Sequence, residues 1–289
     1  MDYLFPSTIE DAVEARAEAP NGQFIAGGTD LMVIMADQAV PPDSLIDISR
    51  IPELRGIKET EEGIEIGPAT TLAELATDSR LPLVLVQGLA SVGSLQIRNL
   101  ATVGGNICNA SPCGDTLTPL IVLGAVLVLV SPSGRREVAA EEFFTGPKKT
   151  ILKRGELLAG IKIPRESLSG GSSFRKIGQR NGQIISQVNV AVWVQARADR
   201  KVGEIRAAAG SVGPVPIRLV KAAATIKGSG MTSEIIADAT RLAAAKISPI
   251  SDVRATDDYR RSVITPLLTE ALKEAWAEAL EQNDNLAPD

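Results

Sequence analysis

Hydrophobic and polar positions alternate along this chain in short blocks, first strand-like, then helical, then strand-like again. Ser7 to Ala19 has a helical period. Ser7 is placed to cap it, Glu10 lies three positions on as the reciprocal carboxylate, and Pro20-Asn21-Gly22 ends it. Gln23 to Ala26 reads as a strand running into Gly27-Gly28-Thr29-Asp30, and Leu31 to Ala36 as a helical turn. Ser44 to Ile48 and Gly63 to Ile66 are further strands, so the opening segment alternates as an α/β unit does. Thr71 to Ala76 and Leu81 to Val92 are helical, and Thr102-Val103-Gly104-Gly105-Asn106 is a tight glycine turn. Thr116 to Leu123 is helical, and Ala125 to Val130 a buried strand with a turn into Arg136-Glu137-Val138. Glu156 to Ile163 is a strand closed by Pro164.

Ser167 to Ser173 breaks the pattern in composition and marks a division into residues 1–168 and 172–289. Beyond it, Gln187 to Arg197 and Glu204 to Val212 read as antiparallel strands. Ile217 to Ala224, Thr232 to Ala245 and Tyr259 to Glu281 read as helices, giving a separate α+β layer.

Composition narrows the chemistry. With 44% hydrophobic and 22% charged residues the chain has material for a core, which excludes disorder as its main state. A net charge of −5 without a basic tail argues against nucleic acid as a partner. The absence of histidine excludes Ser-His-Asp and Cys-His catalysis and every imidazole metal site. Cys108 and Cys113 cannot alone hold an iron–sulfur cluster or a four-cysteine zinc, so the sequence predicts no metal ligand of its own. Chemistry must then come from a cofactor or a partner chain. The N-terminal residues lack a signal's basic region, and Leu117 to Val130 is interrupted by Pro119 and Gly124, so the expectation is a cytoplasmic protein with no transmembrane segment.

Two glycine pairs are the candidate chemistry. Glycines let a backbone approach a ligand closely, and a helix start beside them favours a phosphate. Neither pair is G-x-G-x-x-G or precedes Gly-Lys-Ser/Thr, which excludes a Rossmann nicotinamide fingerprint and a nucleotide-hydrolysing P-loop. Asp115 reads either as the N-cap of the following helix, the favoured assignment from local sequence, or as an acceptor for a ligand hydroxyl. Arg175, Lys176 and Arg180 form either a solvated face or a cation cluster beside an electron-rich ring or an acidic partner.

Together, Ile25-Ala26-Gly27-Gly28-Thr29-Asp30-Leu31, the run Gln96 to Ile107, Asn109 to Pro112 with Asp115, Glu141 to Gly146, Glu156 to Pro164, Phe174 to Arg180, and Pro249 to Arg254 with Asp258-Tyr259-Arg260 resemble the FAD-binding medium subunit of the molybdenum hydroxylases. The resemblance covers nearly the whole chain, in order. It implies an α+β fold: a two-lobed FAD-binding domain of the vanillyl-alcohol-oxidase/PCMH type, then a smaller α+β domain with an antiparallel sheet and helices.

It also implies a flavoprotein component of an oxidoreductase. A large subunit carries molybdopterin, a small subunit carries two [2Fe–2S] clusters, and electrons leave the flavin for NAD, oxygen or a quinone from a dimer of heterotrimers. Carried over by position, Ile25 through Leu31 and Thr102, Gly104, Gly105 and Asn106 surround the pyrophosphate and adjoining parts of FAD. Asp115 bonds a cofactor hydroxyl, Leu158 packs near the isoalloxazine, and Arg175 or Lys176 lies at its polar edge. Val92 stands where some relatives have an aromatic residue. The four-cysteine insertion of the relatives that reduce 4-hydroxybenzoyl-CoA is absent. The alternative is a free-standing flavoenzyme similar to UDP-N-acetylenolpyruvoylglucosamine reductase; a third reading is a scaffold that has lost FAD.

Overall fold

The computed structural model describes residues 1–37, 40–178 and 185–286. Its first layer is built from β1 (Asp2–Leu4), α1 (Ile9–Glu18), β2 (Gln23–Ile25), α2 (Leu31–Ala36) and β3 (Ser44–Asp47). The three strands form a parallel sheet in the order β1-β3-β2, as strand–helix–strand alternation predicts. Helix α1 starts one residue later than the sequence reading. Thr8, in extended conformation, accepts from the Asp11 amide at 3.1 Å, while Ser7 donates its hydroxyl to the Asp11 carboxylate at 3.0 Å. The later start lets Ala12 and Val13 turn inward, where both are buried.

A second layer opens with β4 (Ile57–Thr60) and β5 (Gly63–Ile66). Five short helices follow: α3 (Leu72–Leu75), α4 (Leu83–Ala90), α5 (Leu95–Leu100), α6 (Val103–Asn109) and α7 (Leu117–Val122). Then come β6 (Val126–Ser131), β7 (Gly134–Ala139), the small hairpin β8 (Phe144–Gly146) and β9 (Lys149–Thr150), and β10 (Leu157–Pro164). β4-β5-β10-β6-β7 is an antiparallel sheet with β10 at its centre. β4 escaped the sequence reading because it is an edge strand whose Lys58 and Glu59 face solvent.

The C-terminal region adds β11 (Gly171–Ile177), β12 (Val188–Ala196), β13 (Val202–Gly210) and β14 (Ile217–Arg218). α8 (Val220–Ile226), α9 (Ser233–Lys246) and the long α10 (Asp257–Leu286) complete it. Its four strands pair antiparallel in chain order. Ile217 and Arg218, expected to begin a helix, instead pair with Ala209 and Ala208 as an edge strand. The strongly hydrophobic β12 is covered on both faces. Val188, Val190, Val192 and Val194 pack toward α8–α10, while Ala191 and Trp193 face the helices of the second layer. The composition break is therefore not a break in the core: Phe174, Ala191, Trp193 and Ala208 join the same apolar cluster as Leu85, Leu120 and Phe143.

Candidate functional site

The two glycine pairs, distant in sequence, meet in space because the first lies on the chain leading into the second. A Cβ on Gly27 would stand 1.9 Å from the Leu100 carbonyl oxygen, so only glycine lets the first loop lie against the Leu100–Ala101 backbone. A Cβ on Gly104 would stand 2.5 Å from Pro68 Cβ and 2.7 Å from the Pro68 carbonyl oxygen. One glycine of each pair is thus consumed by backbone packing.

At the other two a Cβ would meet side chains rather than backbone. Gly28 has φ +67°, and a Cβ there would stand 3.3 Å from the Met32 side chain and 3.4 Å from that of Ile25, while at Gly105 it would meet the Thr102 hydroxyl at 3.0 Å. Gly104 and Gly105, expected in a tight glycine turn, lie instead in the first turn of α6. Thr102 caps that turn, accepting from the Gly105 amide at 3.2 Å. A helix can begin with two glycines here because Thr102 satisfies an orphan amide and the Val103 and Gly104 amides are taken by the Thr70 and Pro68 carbonyls.

Two clefts open on either side of this meeting point and share Phe24, Ala26, Thr102, Gly105 and Cys108 in their walls. The first, about 460 Å³, is bounded by Ile25 through Leu31, Ile34, Val92, Ile97 and Asn106. The second, about 650 Å³, is bounded by Gly104, Leu157 and Leu158 and by a rim carrying Arg16, Lys153 and Arg154. Val92 lines the first cleft and Leu158 the second. Cys108 sits in α6 between the clefts, and burial pushes its thiol up to about 12, far from a reactive thiolate.

Asp115 does not cap α7. Thr116 occupies the cap position without a side-chain cap bond, and the Asp115 carboxylate turns away into a buried polar cluster. Lys176 Nζ donates to it at 2.6 Å, Ser186 Oγ at 2.5 Å and Asn189 Nδ2 at 3.2 Å. Burial, the largest influence, raises its pKa, against the lowering effect of the Lys176 charge and the hydroxyl donors. Asn189 accepts in turn from Thr118 at 2.9 Å, and Thr116 donates to the Asn106 side chain at 2.6 Å. The cluster therefore stands behind the cleft wall and orients it, since Lys176 also donates to the Ser91 carbonyl at 2.8 Å, beside Val92.

Arg175, on the opposite face of β11, is ion-paired with Glu274 of α10, its Nε donating at 2.8 Å. Neither Arg175 nor Lys176 lines either glycine cleft; both border a separate outer depression with Gln87 and Glu274. Arg180 lies outside the described residues. Local sequence could not reveal the Ser186–Asn189 cluster or the Arg16–Arg154 rim, because each joins residues far apart in the chain.

A glycine wall that a side chain would fill, a cationic rim and a flanking apolar floor form a site for a dinucleotide, and they suit FAD. The fold and the paired clefts thus define a dinucleotide-binding α+β protein that uses no Rossmann fingerprint. Sequence comparison carries this further. Residues 1–166 match the family described as the FAD binding domain in molybdopterin dehydrogenase, and residues 173–275 match the CO dehydrogenase flavoprotein C-terminal domain.

The chain is 32% identical over 284 residues to the xanthine dehydrogenase FAD-binding subunit of Escherichia coli O157:H7, covering 96% of both chains. It is 31% identical over 281 residues to the carbon monoxide dehydrogenase medium chain of Hydrogenophaga pseudoflava, covering 96% of this chain and 97% of that one. A crystal structure of that organism's carbon monoxide dehydrogenase, lacking the Mo-pyranopterin moiety, superposes with a TM-score of 0.91 at 30% identity. It spans 96% of this chain and 98% of the other. The protein belongs to the FAD-binding medium subunits of the molybdenum hydroxylases, an oxidoreductase family.

Proposed function

We propose that this chain is the FAD-carrying electron-transfer subunit of a heteromeric molybdenum hydroxylase. In this role it receives electrons from the [2Fe–2S] clusters of a small partner subunit and passes them to NAD, oxygen or a quinone. A large molybdopterin subunit hydroxylates the organic substrate, and the assembly is a dimer of heterotrimers. The observation that carries the reading is the junction of two clefts on a wall built from both glycine pairs, and the reading is that one extended dinucleotide is gripped there at its middle. Bound FAD supplies two-electron storage beside one-electron carriers.

The chain's own residues bind, orient and shield. Ala26 through Leu31 and Thr102 through Asn106 hold the pyrophosphate and adjoining groups, and Val92 and Leu158 cover the two halves of the cofactor from their separate clefts. Asp115 and Lys176 fix the wall that carries Val92 and Asn106. Residues 1–168 form the FAD-binding domain and residues 172–289 the second domain, whose polar cluster completes the first. Among the described residues no helix is long and apolar enough to cross a membrane.

The test is purification from the native host under mild conditions, with an absorption spectrum and metal analysis of the same sample. Flavin bands with iron–sulfur absorbance, molybdenum and two companion chains support the proposal. Flavin on a lone, metal-free chain replaces it with a free-standing flavoenzyme. No flavin, even after addition of FAD, refutes both.

A further inference from the structure

A further depression, of about 660 Å³, lies between α1 and the β1 side of the parallel sheet, and it shares only Pro20 with the walls of the glycine clefts. Four carboxylates border it: Asp2, Asp11, Glu18 and Asp43. Among the described residues none of the four is ion-paired with a cation.

The inner wall distinguishes this depression from an ordinary acidic surface. Ser44 is 4% exposed, and its Oγ has no hydrogen-bond partner. In the parallel register Ser44 stands opposite Asp2, and Ile46 opposite Leu4. Ile46 packs with Ala12 and Val13 of α1, so Ser44, two residues earlier on the same strand, also points toward that helix. A Cβ on Gly22 would stand 2.7 Å from Ser44 Oγ and 3.0 Å from Ala19 Cβ, which places the hydroxyl at the C-terminal end of α1. A buried hydroxyl without a partner is costly, and a donor entering the depression removes that cost.

The charge is drawn out along a line. Asp11, Ala15 and Glu18 follow one face of α1, and seven helical residues separate the two acidic positions by roughly 10 Å. Ser7 donates to the Asp11 carboxylate at 3.0 Å at one end. Asp2, Asp43, Glu18 and the Ser44 hydroxyl lie at the other, where the helix C-terminus adds partial negative charge. Leu4 and Ala15 supply the apolar middle. Among the described residues no three acidic or thiol groups converge as a metal ion requires. The complement is an elongated organic cation whose charges are spaced by methylenes.

We propose that this depression binds a linear aliphatic polyamine. One ammonium donates to the Ser44 hydroxyl between Asp2 and Glu18, a second sits at Asp11, and the methylenes between them cover Leu4 and Ala15. The inference is independent of the FAD reading, and FAD is expected neither to compete with the polyamine nor to tighten it.

The test is calorimetric titration of the full chain with spermidine, with butylamine and magnesium chloride as controls, at two salt concentrations. Wild type is expected to bind one spermidine, more weakly at high salt, and to bind butylamine at least tenfold more weakly because a single ammonium reaches one end only. Ser44→Ala should weaken spermidine by about tenfold, the loss of one bond to a charged donor. Its melting temperature without ligand should be unchanged or higher, because the hydroxyl removed had no partner. The exposed double variant Asp2→Asn/Glu18→Gln should lose at least tenfold in affinity and much of the salt dependence. No saturable spermidine binding to wild type, or wild-type affinity in both variants, overturns the inference. Magnesium or butylamine binding as tightly as spermidine overturns the two-ended geometry, and a lowered melt of Ser44→Ala with unchanged spermidine affinity makes the hydroxyl structural and overturns its role.

Discussion

A single methyl group placed on each glycine of the second pair should separate packing from ligand binding. On Gly104 the new Cβ lands 2.5 Å from Pro68 Cβ and 2.7 Å from the Pro68 carbonyl, where backbone cannot yield cheaply. Overpacking of this kind costs about 1–3 kcal/mol. On Gly105 the methyl group meets only the Thr102 hydroxyl, at 3.0 Å, and otherwise projects into the cleft. Because Gly105 lies in α6, alanine there contributes about 0.5–1 kcal/mol of helix stability, partly offset by the crowded cap.

The flavin-free Gly105→Ala chain should accordingly melt within a few degrees of wild type, while Gly104→Ala melts lower by about 2–4 °C per kcal/mol lost. Affinity should follow a different order. Gly105→Ala should bind FAD at least tenfold more weakly, about 1.4 kcal/mol, because the methyl group occupies the ligand's side of the wall. The assays are calorimetric melting of the apoprotein and titration with FAD. Wild-type FAD affinity in Gly105→Ala would show that this glycine does not face the cofactor, and a wild-type melt in Gly104→Ala would refute the packing argument.

Three further substitutions probe the framework. Asn189→Leu removes a donor from Asp115 and the acceptor of Thr118, leaving buried polar groups short of partners at about 1–3 kcal/mol each, so its melting temperature should fall by several degrees; an unchanged melt would mean the cluster contributes nothing. Asp252 is held at about 2: burial pushes it up, but the Arg254 and Ala255 amides, the Arg254 side chain and the Arg260 charge outweigh burial. A carboxylate depressed in the folded state adds stability that is complete above its ordinary value near 3.9 and is lost as the pH falls through about 2. Asp252→Asn should therefore flatten the acid limb of the stability curve by about 1–2 kcal/mol between those values, after allowing for solvent screening, and an unaltered limb would refute the assignment. Arg206→Met removes a guanidinium lying 4.0 Å from the Trp193 ring and bonded to Ser167, a loss of about 1–2 kcal/mol to be read in urea unfolding. An unchanged midpoint would refute this cation–π reading.

Elements governed by local chemistry were legible. Thr71 and Glu74 form a reciprocal cap at the start of α3, and the periodic Tyr259 to Glu281 segment falls within α10. Ambiguity entered where neighbouring residues were chemically equivalent: Ser7 and Thr8 can both cap, and Glu10 and Asp11 can both answer, so burial of Ala12 and Val13 decided the register. The paired glycines were visible as a site, but their division into packing and ligand-facing members was not, since it depends on Leu100 and Pro68. Asp115 shows the limit most clearly. Its position before an apolar helix is that of a cap, yet Lys176, Ser186 and Asn189 offer a buried carboxylate stronger bonds than a helix end in partial contact with water.

The way the C-terminal sheet meets the α4–α7 helices leads to a last prediction. Ser172 accepts from the Val84 amide at 3.1 Å, Gln87 accepts from the Phe174 amide at 2.7 Å, and Lys176 reaches both Ser91 and Asp115. Trp193 and Phe174 fill the same apolar cluster as Leu85 and Leu120. Helices α4 and α7, which share an apolar cluster with Val103 and Ile107 of α6, are thus packed on one side by β11 and β12, and residues 1–168 expressed alone would expose that face and take Lys176, Ser186 and Asn189 away from Asp115. Large exposed apolar faces promote association. The fragment should therefore lack a cooperative melt and should not retain FAD, whereas mixing it with residues 169–289 should restore some of both. A fragment that melts cooperatively and binds FAD as the full chain does would show that the first domain needs nothing from the second, and that the Asp115 cluster does not support the cofactor site.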